Sequence, residues 1–386
     1  MMKTDWVGEI RVSGASKRGV VPLYLAFAGT GVGVALPGAL LPALLMRWHL
    51  GDEQGGRLFL MAWLGSSLGA LLVRGSLRTV LVSGSLAIAG ATLALGVCGG
   101  TGADVWMGLY GLGLGMAMTG ISLMRQQQAV RTGTEMVRLN LLWAIGACVC
   151  PSLTVKALTV GVIQPLLFGL GACFVFLAVW AMFQAEVILL PAAASAGADG
   201  KRSLWAVPAG LIAMIFLVTG IEASAGGWLA TYARRGGHNV ASTIAAPTCL
   251  WAGLLLSRVF WSFCERWVRF TEATVVRGSL VLMAMASVLL IAGGPAWTVL
   301  VAAFFLGFGI GPTYPLLLDW ALHFDRGGAI FFMAGLGSAC LPWLTGAISA
   351  SRGSLRVGLA VPMVGTLAML MVAIARPLGQ WSREDT

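Results

Sequence analysis

Phe27-Ala-Gly-Thr30-Gly31, followed by Gly38, comes back downstream as Phe216-Leu-Val-Thr219-Gly220, followed by Gly227. The offset is 189 residues at Phe27, Thr30, Gly31 and Gly38 alike. Trp63 and Gly65 return as Trp251 and Gly253, and Gly111-x-Gly113-x-Gly115 returns as Gly307-x-Gly309-x-Gly311. Gly146-Ala-Cys-x-x-Pro151 returns as Gly337-Ser-Ala-x-x-Pro342. Chance matches of glycine and tryptophan would not keep one order and nearly one spacing, so the chain reads as two copies of one unit.

Composition says where such a unit lives. With 58% hydrophobic and 10% charged residues, 386 residues supply too little polar surface to coat a soluble globule. A helix needs about 20 apolar residues to cross the hydrocarbon. Twelve runs qualify: 20–46, 57–73, 79–99, 104–124, 138–160, 164–184, 204–233, 244–263, 275–293, 296–318, 328–349 and 355–375. The predicted fold is an all-α membrane protein of twelve transmembrane helices in two six-helix repeats. In this scheme helices 1, 2, 4 and 5 match helices 7, 8, 10 and 11. The predicted domains are a cytoplasmic N-terminal segment 1–19, a bundle 20–184, a cytoplasmic linker 185–203, a bundle 204–375 and a cytoplasmic tail 376–386.

A net charge of +10 raises the question of nucleic acid, which the placement of the basic residues answers. With the N-terminus in the cytoplasm, 18 of the 25 Lys and Arg fall on that side, the bias expected of an inner-membrane protein. The basic balance is topology, so no nucleic-acid partner is expected; anionic lipid headgroups suit the cytoplasmic flanks. The first nineteen residues lack an apolar core, and the first apolar run is too long for a signal peptide. The seven cysteines carry no metal-ligand spacing and the three histidines fall at helix ends. No Walker loop, dinucleotide fingerprint or catalytic triad is present, which leaves neither a cofactor nor enzyme chemistry to expect. The 53 glycines suit close helix contact in lipid.

Glu222 lies deep in the run from Leu204 to Ala233. An ionisable group there costs about 2.5–3.5 kcal/mol on insertion scales unless it faces protein or water. The matching position in the first copy is Gly33, so the scaffold does not require the acid. Glu222 is read as a solute ligand and as the first candidate to carry a proton, with Asp319 the second; the bland reading is a structural Glu tied to a helix neighbour. Trp228 and Tyr232 stack with each other but sit about 100° or more around an ideal helix from Glu222, and join its pocket only if Gly226-Gly227 unwinds. Trp63 and Trp251 offer apolar platforms or helix packing. Asn140, Thr30, Thr119, Ser122 and Tyr314 complete the polar candidates. Arg258, near a helix end, snorkels or pairs with Asp319 or Glu265 in a gating or structural role. Gly311-Pro312-Thr313-Tyr314-Pro315 is a candidate kink or a structural bend.

The 6+6 pattern resembles the major facilitator superfamily over nearly the whole chain. Gly220-Ile-Glu222-x-x-x-Gly226-x-Trp228-x-x-x-Tyr232, Trp251-x-Gly253-x-x-x-Ser257-Arg258, Gly307-x-Gly309-x-Gly311-Pro312-x-x-Pro315 and Arg138-Leu-Asn140 look like its fucose–proton symporter branch. The resemblance implies a secondary transporter working by alternating access on a small neutral sugar or polyol, with protons as a possible second substrate, in the form of a monomer. The superfamily's loop between helices 2 and 3 usually reads G-x-x-x-D-R-x-G-R-K. Here Val73 replaces the acid and Ser76 the glycine, leaving Arg74 and Arg78 as gating or structural charges. Fucose permeases also carry carboxylates in helices 1 and 4, where this chain has Thr30, Thr119 and Ser122 and no acid but Asp104. Efflux of amphipathic compounds and a non-transporting membrane sensor are the alternatives.

Overall fold

The computed structural model describes residues 20–128, 132–183, 188–189, 207–264, 270–324, 328–375 and 378–381. The segment 1–19, most of the linker 185–203 and most of the tail 376–386 lie outside these, as does Glu265. The first half comprises α1 (Val20–Arg47), α2 (Asp52–Leu71), α3 (Leu77–Cys98), α4 (Ala103–Gln128), α5 (Thr132–Leu153), a short α6 (Val155–Val160) and α7 (Gln164–Met182). The second comprises α8 (Ala209–Arg235), α9 (Val240–Cys264), α10 (Glu272–Ala292), α11 (Ala296–Phe324), α12 (Gly328–Arg352), a short α13 (Leu355–Gly358) and α14 (Ala360–Ala375). The run predicted over 138–160 breaks at Thr154, and that over 355–375 breaks at Leu359.

Eleven of these stretches are long and apolar enough to cross a membrane, which makes the chain a multi-pass membrane protein. The long helix outside that set is α2. Gln54, Arg57, Ser66 and Ser67 dilute its apolar surface, and it packs against α4 and α12. Its polarity suits an interior position.

Helix contacts come in the same order before and after the linker. Within the first half α1 meets α5, α2 and α3 meet α4, and α3 meets α7; within the second α8 meets α12, α9 and α10 meet α11, and α10 meets α14. The repeated glycines sit at matching contacts. A Cβ on Gly65 would strike the Gly108 carbonyl of α4, and one on Gly253 would strike the Phe304 carbonyl of α11. In the opposite direction Gly111 abuts the Ala62 carbonyl, as Gly307 abuts that of Leu250. Small residues let these backbones touch, which is how helices gain packing energy when lipid supplies no hydrophobic drive.

The halves meet along α2·α12, α5·α9 and α1·α8. For orientation, the end of the bundle nearest 183–207 is the linker end and the end holding Arg47, Asp52 and Arg235 is the far end. At the linker end, Gly75–Ser76 pairs antiparallel with Ile188–Leu189, tying the α2–α3 turn to the start of the linker. Arg74 there is exposed and Arg78 half-buried.

Contact at the far end is closest where α1 crosses α8. A Cβ on Gly38 would collide with the Gly226 carbonyl and the Gly227 backbone. Gly38→Ala is therefore expected to cost this packing about 1–3 kcal/mol, as overpacking does elsewhere. Cysteine-accessibility labelling of the far end should rise in the variant, and unchanged protection would show that the contact yields without strain.

Candidate functional site

Between the halves lies a cavity of about 370 Å³. Its wall in the first half comes from α1 (Phe27, Val34, Gly38), α2 (Phe59, Trp63, Ser66, Ser67), α4 (Met118, Thr119) and α5 (Asn140, Trp143). In the second half it comes from α8 (Thr219, Glu222, Ala223), α9 (Trp251, Arg258), α11 (Tyr314) and α12 (Phe331, Ala334, Ser338). Many of these positions lie in the linker-end halves of their helices, and Asn140 and Phe331 are exposed. The cavity faces the linker end.

Its far side is closed. Trp143 of α5 meets Trp251 of α9 edge to face, with centroids 5.7 Å apart at 86°. Phe59 of α2 meets Trp228 of α8 at 5.9 Å. Beyond them Asp52, at the tip of α2 and outside the apolar run 57–73, accepts from both terminal nitrogens of Arg235 at the end of α8. Ser349 Oγ of α12 donates to the same carboxylate at 2.5 Å. This latch joins the two halves and is 9% exposed at Asp52. Burial alone would push the Asp52 carboxyl up, but the hydrogen bonds from Arg235 and Ser349 and the Arg235 charge outweigh it and hold the group below its usual range.

Glu222, Asn140, Trp251 and Tyr314, each a candidate ligand from the sequence, share this cavity with Trp63 and Arg258. Trp251 is 3% exposed and Tyr314 half-buried. Thr119 lines the cavity as well, whereas Ser122 is not among the lining residues. Three other candidates lie elsewhere. Thr30 is fully buried and donates to the Phe27 carbonyl at 2.7 Å. Trp228 donates from Nε1 to the Pro342 carbonyl at 3.0 Å, and Tyr232 donates to the Leu290 carbonyl at 2.8 Å. The reason is that α8 runs unbroken through Gly226-Gly227, so the angular separation of an ideal helix stands. These glycines instead admit Gly38 of α1 and the rings of Trp251 and Phe59.

Asp319, half-buried on α11, is not among the lining residues. Asp104 forms an ion pair with Arg57 at 2.8 Å at the far end. Pro312 and Pro315 lie inside an unbroken α11, where Thr313 donates to the Gly309 carbonyl at 2.7 Å.

Sequence reasoning missed Trp143 and Thr219. Trp143 follows Asn140 by three positions and so shares its helix face, a signal that was there to read. Thr219 is the repeat partner of Thr30, yet it lies on the cavity wall and donates to the Ala334 carbonyl at 2.7 Å, fixing α12 beside Glu222. Among the described residues, none gives the Glu222 carboxylate a hydrogen bond or an ion pair. The charge of Arg258 reaches it, and Glu222 in turn lies close enough to Tyr314 to act on its phenol.

These features are those of the major facilitator fold: helices in two similarly paired sets, meeting over a central cavity. Among solved structures the chain is similar to a crystal structure of a Major Facilitator Superfamily transporter, FucP, in the outward conformation. The TM-score is 0.59 at 14% identity, covering 93% of this chain and 99% of that one. No protein-family profile and no curated protein matches the sequence.

Proposed function

We propose that the chain is a secondary transporter that carries a small sugar or polyol by alternating access, with twelve spans arranged as two repeats around the cavity. The observation that carries this reading is the cavity itself. An acid with no hydrogen bond among the described residues, the amide of Asn140 and indole rings from the repeat-matched positions Trp63 and Trp251 stand around a space of monosaccharide scale. A carboxylate and an amide take hydroxyl hydrogen bonds, while aromatic faces take the C–H face of a sugar. The closed far end, and the outward conformation in which the similar transporter was captured, fit two ends of one cycle. Glu222 is the proton carrier in this scheme.

The linker end is assigned to the cytoplasm of an inner-membrane protein, because the basic residues gather there. Counterflow of labelled sugars in proteoliposomes tests transport directly, and a protein that binds a sugar but never exchanges it would be a sensor. Reporter fusions should place Lys201 in the cytoplasm; labelling of Lys201 from the periplasm would sink the topology. The second reading, efflux of amphipathic compounds, draws on the aromatic wall formed by Phe27, Phe59, Trp143 and Phe331. Tighter binding of hydrophobic dyes than of sugars would favour it.

A further inference from the structure

The outer face of α10 carries a charge that hydrocarbon cannot solvate. Thr274, Arg277, Gly278, Val281, Met285 and Val288 are all exposed, and their steps of three and four place them on one stripe of the helix. Because α10 packs on α11 and α14 of its own half, this stripe looks outward, and Val281, Met285 and Val288 make it a lipid-facing surface. Arg277 is the charged residue on it. It lies five residues after Glu272, the first residue of α10, or about 7.5 Å along the axis from the linker end. From that depth an arginine side chain reaches up to the headgroup level.

The guanidinium is held in place but not neutralised. Its Nε donates to the Ala373 carbonyl in the last turn of α14 at 3.3 Å, which pins it between the two helices. No carboxylate among the described residues pairs with it, and its two terminal nitrogens keep their donors. The nearest acid in sequence, Glu272, is turned to α11, where it accepts from Nε1 of the fully buried Trp320 at 2.6 Å. Beside Arg277 the surface is indented, since a Cβ on the exposed Gly278 would meet nothing within 4 Å. A charged fork and a notch therefore stand side by side at the edge of the bilayer.

An unpaired cation on a lipid-facing surface is costly unless a counter-charge comes to it, and the group the bilayer offers at this level is lipid phosphate. Parallel N–H donors of a guanidinium match two phosphate oxygens. A lipid with one net negative charge neutralises the arginine, whereas a choline lipid brings a second cation beside it. We propose that Arg277, the Gly278 notch and the end of α14 form a binding site for one anionic phospholipid, held by its phosphate in the leaflet at the linker end, with an acyl chain lying along Val281 and Met285. The site is separate from the cavity and stands whatever solute the cavity takes.

Native mass spectrometry of the full chain, delipidated and titrated with phosphatidylglycerol or phosphatidylcholine, counts bound lipids and gives paired affinities. One phosphatidylglycerol is expected to bind about fivefold or more tighter than phosphatidylcholine, the scale of one basic residue at a membrane surface. Arg277→Gln should bring the two lipids within about twofold, and Arg277→Lys, which keeps the charge but loses the fork, should retain part of the preference. Gly278→Leu fills the notch with the charge left in place and should weaken retention of the same lipid. Arg74→Gln removes an exposed charge from the same end of the first half and should leave that lipid bound. Should Arg277→Gln fail to fold, the wild-type lipid pair and Gly278→Leu decide. Equal binding of the two lipids, or a preference that survives Arg277→Gln, would overturn the proposal. Inorganic phosphate separates the two sources of the anion: if it occupies the site as tightly as phosphatidylglycerol, the ligand is a free anion and the lipid site falls.

Discussion

Glu222→Gln protein in proteoliposomes is expected to lose uphill uptake driven by a pH gradient, to background, while keeping solute exchange within about threefold of wild type. Glutamine keeps the shape and the hydrogen-bonding capacity of the protonated acid but cannot cycle a charge. Exchange carries the loaded site back and forth and needs no change of protonation, whereas net uphill movement needs the proton to leave on one side. Binding should also lose its pH dependence, because the variant is fixed in the form that the proton creates. If Glu222 only grips the solute, the same change should instead weaken binding about tenfold or more at every pH, the scale of a lost hydrogen bond to a charged group. Exchange and uptake would then fall together. Uphill transport that survives undiminished in Glu222→Gln would remove this residue from the coupling step and pass the role to Asp319.

The two possibilities could be framed at all because the acid was legible in the sequence, and the reason is physical. An ionisable residue inside an apolar run stands out against a membrane that excludes it, and the first-half match, Gly33, shows that packing does not ask for it. The repeated glycines were legible because backbone contact tolerates no side chain, so both copies must keep them. Trp228 could not be placed from its neighbours alone. Its side of α8 depends on whether Gly226-Gly227 unwinds, and what settles that is the Gly38 backbone of α1, about 190 residues away in sequence. The far-end latch was invisible for the same reason. Asp52 and Ser349 are separated by 297 residues, and neither carries a local pattern that names the other.

That latch supports the second large prediction. Asp52→Asn is expected to shift the resting population away from the closed far end by about five- to 150-fold, the range of a coupling worth about 1–3 kcal/mol. The asparagine keeps an acceptor for Ser349 but loses the charge and the paired oxygens that Arg235 holds in fork geometry. Arg235 is 46% exposed on its side chain, so water takes back part of what it loses, and the lower half of the range is expected. The latch also sets a pH window. Because the Asp52 carboxyl is held below the usual aspartate range, the stabilisation is fully present above that range and is lost only as pH falls through the depressed pKa. The wild-type far end should therefore stay closed across the physiological range and loosen only under strong acid, while Asp52→Asn should be loose at every pH. Maleimide labelling of a cysteine placed at Ala230, buried on α8 one turn beyond the Gly226 that meets Gly38, reads the opening directly, with a cysteine at Ser351 as a control that is exposed already. Equal protection of the Ala230 site in the wild-type and Asp52→Asn backgrounds would show that the aromatic contacts of Trp228 and Trp143 close the far end without the ion pair.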